Sequence, residues 1–92
     1  MKPLYFDDWL KKQLKDPEFK RDYDRLEPQY QVLREIIKTR LERKMSQRHL
    51  AMKAKTTQAV LSRLENFEVN PSIGLVQRIA EAMGKKLEIK FV

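Results

Sequence analysis

Two hydroxyl residues, Ser46 and Thr57, most constrain what this chain can fold into. Each stands just before a short run whose apolar residues recur at helical spacing: Leu50 and Ala51 after the first, Leu61 and Leu64 after the second. A Ser or Thr at a helix start accepts a hydrogen bond from a free backbone N–H of the first turn, so both positions read as N-caps. Between the two runs lies only Ala54-Lys55-Thr56, room for a turn. The segment Arg40 to Asn66, RLERKMSQRHLAMKAKTTQAVLSRLEN, therefore predicts two short helices held together through a small apolar contact. Ala51 is small where they would cross.

The charge lies in the same place. Residues 1–30 carry seven Lys/Arg and seven Asp/Glu, and residues 64–92 carry four of each. Residues 31–63 carry nine basic and two acidic residues, which accounts for the whole net charge of +7. A surplus confined to one segment points to a surface that meets a polyanion.

The rest of the chain reads as mostly helical. Tyr5 to Leu14 suits a short helix marked by Tyr5 and Trp9. Asp16 and Pro17 read as the N-cap and first residue of a second, with Phe19, Tyr23 and Leu26 on one face. This aromatic arm has two readings: it packs on its own protein, or it docks a partner. Pro28 is expected to open the next helix, running to about Lys44, with Tyr30, Leu33, Ile37 and Leu41 as its apolar stripe, widened by Val32 and Ile36. Pro71-Ser72 starts a later helix with Ile73, Val76, Ile79, Ala80 and Met83 facing the core, and Gly84 stops it. Lys86 to Phe91 alternates polar and apolar residues, which predicts a half-buried strand. One lone strand needs a partner for its backbone. Three answers stand: its twin in a dimer, the edge of another protein's sheet, or the chain's own helices. The expected division is an arm at 1–27, a DNA-binding unit at 28–84 and a tail at 85–92.

A helix fits the DNA major groove, where base edges are distinguishable, provided another helix holds it rigidly. The first turn of the second short helix offers Thr57, Gln58 and Ala59, followed by Ser62 and Arg63. Gln58 suits adenine, Ala59 a thymine methyl, and Arg63 a guanine or a phosphate. Ser46, Gln47, Arg48, Arg43, Lys53, Lys55 and Thr56 are the phosphate candidates.

Ser46-Gln47, Leu50-Ala51, Thr57-Gln58, Leu61-Ser62-Arg63, Glu65-Asn66 and Asn70-Pro71-Ser72 together resemble the phage-repressor, or XRE-type, helix-turn-helix family. Ile79-Ala80 and Met83-Gly84 continue the likeness, which covers about residues 30–84. It implies a mainly α fold: a five-helix phage-repressor-like domain, with the helical N-terminal arm and C-terminal β-strand added. It implies that Gln47, Thr57, Gln58, Ala59, Ser62 and Arg63 lie at the DNA, and that Arg40 pairs with Glu65. Two residues depart from the family, which usually has glycine where Lys55 and Phe67 stand. A positive φ would strain Lys55, unless the turn differs; Phe67 caps the core or extends a dimer contact. The arm, Leu14 to Pro28, and the tail, Leu75 to Phe91, resemble HigA-like antitoxins of type II toxin–antitoxin pairs. That resemblance implies a homodimer on operator DNA that represses its own operon and neutralises a RelE/HigB-like mRNA interferase. Tyr5, Trp9, Phe19, Tyr23, Leu87, Ile89 and Phe91 are then the toxin or dimer contacts. The alternatives are a stand-alone phage-type repressor and a protein-only interaction module.

Other classes fit poorly. With no cysteine and the single His49, a Cys/His metal site cannot be assembled. No nucleophile–base arrangement or phosphate-binding glycine loop occurs, so an enzyme is not expected, nor a cofactor or small-molecule substrate. No signal peptide or membrane span is read, and the expected location is the cytoplasm.

Overall fold

The structure, a computed structural model, describes the backbone of residues 2–92 and the side chains from residue 8 onward. The side chain of Tyr5, an expected partner contact, lies outside the described residues. Five helices follow in order: α1 (Lys2–Gln13), α2 (Pro17–Glu42), α3 (Gln47–Lys53), α4 (Gln58–Glu65) and α5 (Ile73–Ala82).

Their starts follow from the sequence. Asp16, Ser46, Thr57 and Ser72 are the N-caps of α2 to α5, each with a side-chain oxygen accepting a first-turn backbone N–H at 2.9–3.1 Å. Such a cap contributes about 1 kcal/mol.

The helix ends share a geometry that the residue types conceal. α2 to α5 all finish in a residue with positive φ: Lys44 at 56°, Lys55 at 58°, Phe67 at 62° and Gly84 at 73°. In each case the next N–H reaches back five residues, as Met45 N to Arg40 O and Thr56 N to Ala51 O do at 3.1 and 2.9 Å. Glu68 N to Arg63 O and Lys85 N to Ala80 O repeat it at 3.0 and 2.9 Å. This is the Schellman stop, for which glycine is the usual residue. Only Gly84 supplies it here.

Three sequence expectations need correcting. First, Pro28 does not open a helix; it lies inside the 26-residue α2. Proline lacks the N–H and crowds the carbonyl four residues back, which is why it reads as a start. Here links along one face span it. Tyr23 and Tyr30 stack with ring centroids 5.1 Å apart, and Arg34 Nη2 donates to the Tyr23 hydroxyl. Second, the apolar stripes are narrower at their ends than expected. Leu41 is 46% exposed and Ile73 65% exposed. Leu33, Ile36 and Ile37 are buried, and the next position at helical spacing is taken by Arg40, so Leu41 turns outward.

Third, no strand occurs among the described residues, so the C-terminal β-strand is not part of this fold. The alternating pattern was there, but a strand is defined by its partner, and a chain whose other elements are helices offers no edge to pair with. Leu87 is half-buried, whereas Ile89, Phe91 and Val92 are exposed.

The core lies where α2 to α5 converge. Leu33 and Ile36 from α2 meet Leu50, Ala51 and Ala54 around α3, Leu61 and Leu64 from α4, and Ile79 and Met83 from the end of α5. α1 packs on α2, burying Leu10 and Tyr23. A line of rings runs along this side: Trp9 edge-on to Phe19 at 5.7 Å, Phe19 to Tyr23 at 6.2 Å, then Tyr30 edge-on to Phe67 at 5.7 Å. The arm is thus tied to the end of α4 by its own aromatics.

Candidate nucleic-acid interface

The eight residues of α4 divide sharply. Leu61, Leu64 and Glu65 are buried, while Gln58, Ala59 and Arg63 are exposed and Ser62 is half-buried. Thr57, also exposed, uses its hydroxyl oxygen to accept from Val60 N at 3.1 Å. The polar side chains of the first turn therefore project from a helix whose other face is locked in the core. Among the described residues, none forms a hydrogen bond or ion pair with the Gln58 amide or the Arg63 guanidinium.

α3 braces this helix. Leu50 and Ala51 are buried against Leu61 and Leu64, and Ala54 completes the contact. Small residues at 51 and 54 let the two backbones approach. Arg43, Arg48, Lys53 and Lys55 are exposed, as is Ser46, whose oxygen accepts from His49 N at 3.0 Å. Thr56 is half-buried in the turn. Arg43 is set apart from the others by its neighbour: its Nη2 lies 3.9 Å from where a Cβ on Gly84 would stand, at the end of α5.

The structure brings Arg40 and Glu65 together. Arg40 Nε donates to Glu65 Oε2 at 2.7 Å and Nη2 to Oε1 at 2.8 Å, a two-pronged bond between side chains only 13% and 6% exposed. Paired, planar donors and acceptors make this the strong form of an ion pair. The third donor of Arg40, Nη1, reaches the Met45 carbonyl at 2.8 Å.

Three participants escaped the sequence reading. Gln47, assigned there to phosphate, donates Nε2 to Glu65 Oε1 at 3.0 Å. Arg78 on α5 donates Nε to the Ala54 carbonyl at 3.1 Å, closing the C-terminus of α3 beside the turn. Arg34 spans the proline of α2 through Tyr23. Each bond joins residues 11 to 24 positions apart, so no helical spacing could reveal it.

The basic surplus of residues 31–63 keeps its sign on the surface. Lys38, Arg43, Lys44, Arg48, Lys53, Lys55 and Arg63 are exposed there against Glu35 and Glu42. No cluster of three or more His, Cys, Asp or Glu suited to a metal ion occurs among the described residues. No described helix is long and apolar enough to cross a membrane.

A short helix with an exposed polar face, braced by a second helix in a segment rich in exposed cations, is the arrangement of a helix-turn-helix. The chain belongs to the helix-turn-helix family, whose pattern matches residues 36–90. Curated proteins and solved structures give no match to it. Domains of this family bind DNA sequence-specifically in transcription regulation and are not themselves catalytic, so the chain carries a DNA-binding regulatory domain.

Proposed function

We propose that the protein is a transcriptional repressor that binds operator DNA as a homodimer. Residues 28–84 form its DNA-binding unit. Thr57, Gln58, Ala59, Ser62 and Arg63 read base edges in the major groove, and Ser46, Arg48, Lys53, Lys55 and Thr56 hold phosphates beside it. Arg43 is a further cation for phosphate. One observation carries this reading: the exposed polar turn of α4 stands opposite a face whose Leu61, Leu64 and Glu65 are buried. One such unit touches few base pairs, and a two-fold dimer reading two half-sites supplies the missing specificity.

The test begins with a duplex selected by the protein from a random pool. Replacing Gln58 and Arg63 together with alanine should weaken binding to that duplex at least tenfold, since each two-pronged base contact contributes about 1–3 kcal/mol. Fluorescence anisotropy at fixed salt reads the loss, and the thermal unfolding midpoint should not move. Unchanged affinity sinks the reading.

A second reading adds a protein partner, a RelE/HigB-like toxin restrained by the same chain. It is supported by the resemblance of the arm and tail to HigA-like antitoxins. Trp9 at 48% exposure, and the exposed Ile89 and Phe91, offer apolar surface for such a contact. Phe19, Tyr23 and Leu87 are less available, being half-buried or buried. Co-purification with the product of the neighbouring gene distinguishes it from the stand-alone repressor.

A further inference from the structure

Glu65 is the last residue of α4, and its carboxylate accepts three hydrogen bonds, two from Arg40 of α2 and one from Gln47, the first residue of α3. The two bonds from Arg40 already neutralise the buried charge. The third adds nothing to charge balance, and Gln47 is half-exposed with water at hand as an alternative partner. What the third bond adds is geometry. The α3–α4 contact is otherwise apolar, with Leu50, Ala51 and Ala54 against Leu61 and Leu64. Apolar contact is non-directional and lets one helix roll on another. A hydrogen bond of 3.0 Å fixes both distance and direction.

We infer that Gln47 is a positioning residue for base recognition. Acting through Glu65, it fixes the roll of α4 against α3, and with it the angle at which Gln58 and Arg63 enter the groove. Recognition groups must be held to about half an ångström for their contacts to form together, and second-layer hydrogen bonds are the usual means. The inference rests on the DNA-reading function proposed above and deepens it. It is distinct from a phosphate role for Gln47, which would use the second amide hydrogen that the Glu65 bond leaves open.

The experiment compares full-length wild type, Gln47→Ala and Gln47→Met on two duplexes at one salt concentration. One is the duplex the wild type selects from a random pool; the other is its scrambled counterpart. Methionine keeps the length of the side chain and removes the donor. Both variants should lower the ratio of the two affinities roughly tenfold, the scale of one hydrogen bond to a charged group. The salt dependence should stay as in wild type, because no charge is removed, and the ratio of the two affinities is the readout, since a lost phosphate contact lowers both alike. The Arg40–Glu65 pair remains in both variants, and thermal melting verifies that they fold. An equal loss on both duplexes would mark Gln47 as a plain phosphate ligand and overturn the inference. So would a methionine variant that retains the wild-type ratio. A wild type that prefers no duplex overturns the DNA-reading function itself, which separates the two failures.

Discussion

The two sides of α4 are held in opposite ways. Toward α2 and α3 it is fixed by a dry aliphatic cluster and by Glu65, 5% exposed and bonded to Arg40 and Gln47. Toward the arm, its end meets a chain of rings from Trp9 to Phe67, in which each contact is an edge or an offset face. The first attachment is directional and largely buried. The second is adaptable and half-open. The difference teaches where precision is needed: the attachment that sets the reading face is built from bonds with fixed angles, and the one that adds bulk support is built from surfaces that tolerate small shifts.

Breaking each attachment in turn gives different losses. Glu65→Ala removes the buried acceptor and leaves Arg40 without its counter-charge. It should cost about 3–5 kcal/mol in chemical denaturation, enough to unfold a domain of this size in part. A loss under about 1 kcal/mol would mean that the pair is solvated and the contrast false. Trp9→Ala removes a half-exposed ring that stands edge-on to Phe19. Its cost should be near 1 kcal/mol, and binding to DNA should stay within a factor of two. A loss as large as that at Glu65 would put the arm on an equal footing with the core.

The smallest effect sharpens the comparison from the turn between α3 and α4. Lys55 holds φ at 58°, a conformation that glycine adopts without a Cβ penalty. Lys55→Gly should raise the unfolding free energy by up to about 1 kcal/mol, less what glycine's looser unfolded chain takes back. Its removal of a cation should also flatten the salt dependence of DNA binding by about one unit of slope. A lower melting temperature would show that the Lys55 side chain stabilises the turn in some other way. Phe67, at φ 62°, has the same backbone but a ring against Tyr30, so the same exchange there gives up packing as well.

Much of this was legible beforehand, and particular residues show why. Asp16, Ser46, Thr57 and Ser72 act on backbone N–H groups two or three residues away. A cap of that kind is local chemistry, so residue type alone marks it. Leu50, Ala51, Leu61 and Leu64 were legible for a related reason, because helical periodicity decides which side chains share a face. The same logic misread Pro28, whose local preference for a helix start yielded to the Tyr23–Tyr30–Arg34 face across it. It also misread Ile89 and Phe91, whose alternation promised a strand that needs a neighbouring edge.

By itself, then, the order of residues determined where helices begin, which faces turn inward and where the positive charge gathers, because those properties depend on neighbours within a turn or two. Only the tertiary structure decided that three helices stop at non-glycine residues in left-handed geometry and that α2 continues through proline. It also decided that Gln47 joins the expected Arg40–Glu65 pair at the end of α4. The shared carboxylate joins residues 18 and 25 positions apart, and the helix stops and the continued helix are held in place by packing against other elements, so these outcomes acquire their energy only when the domain has closed around them.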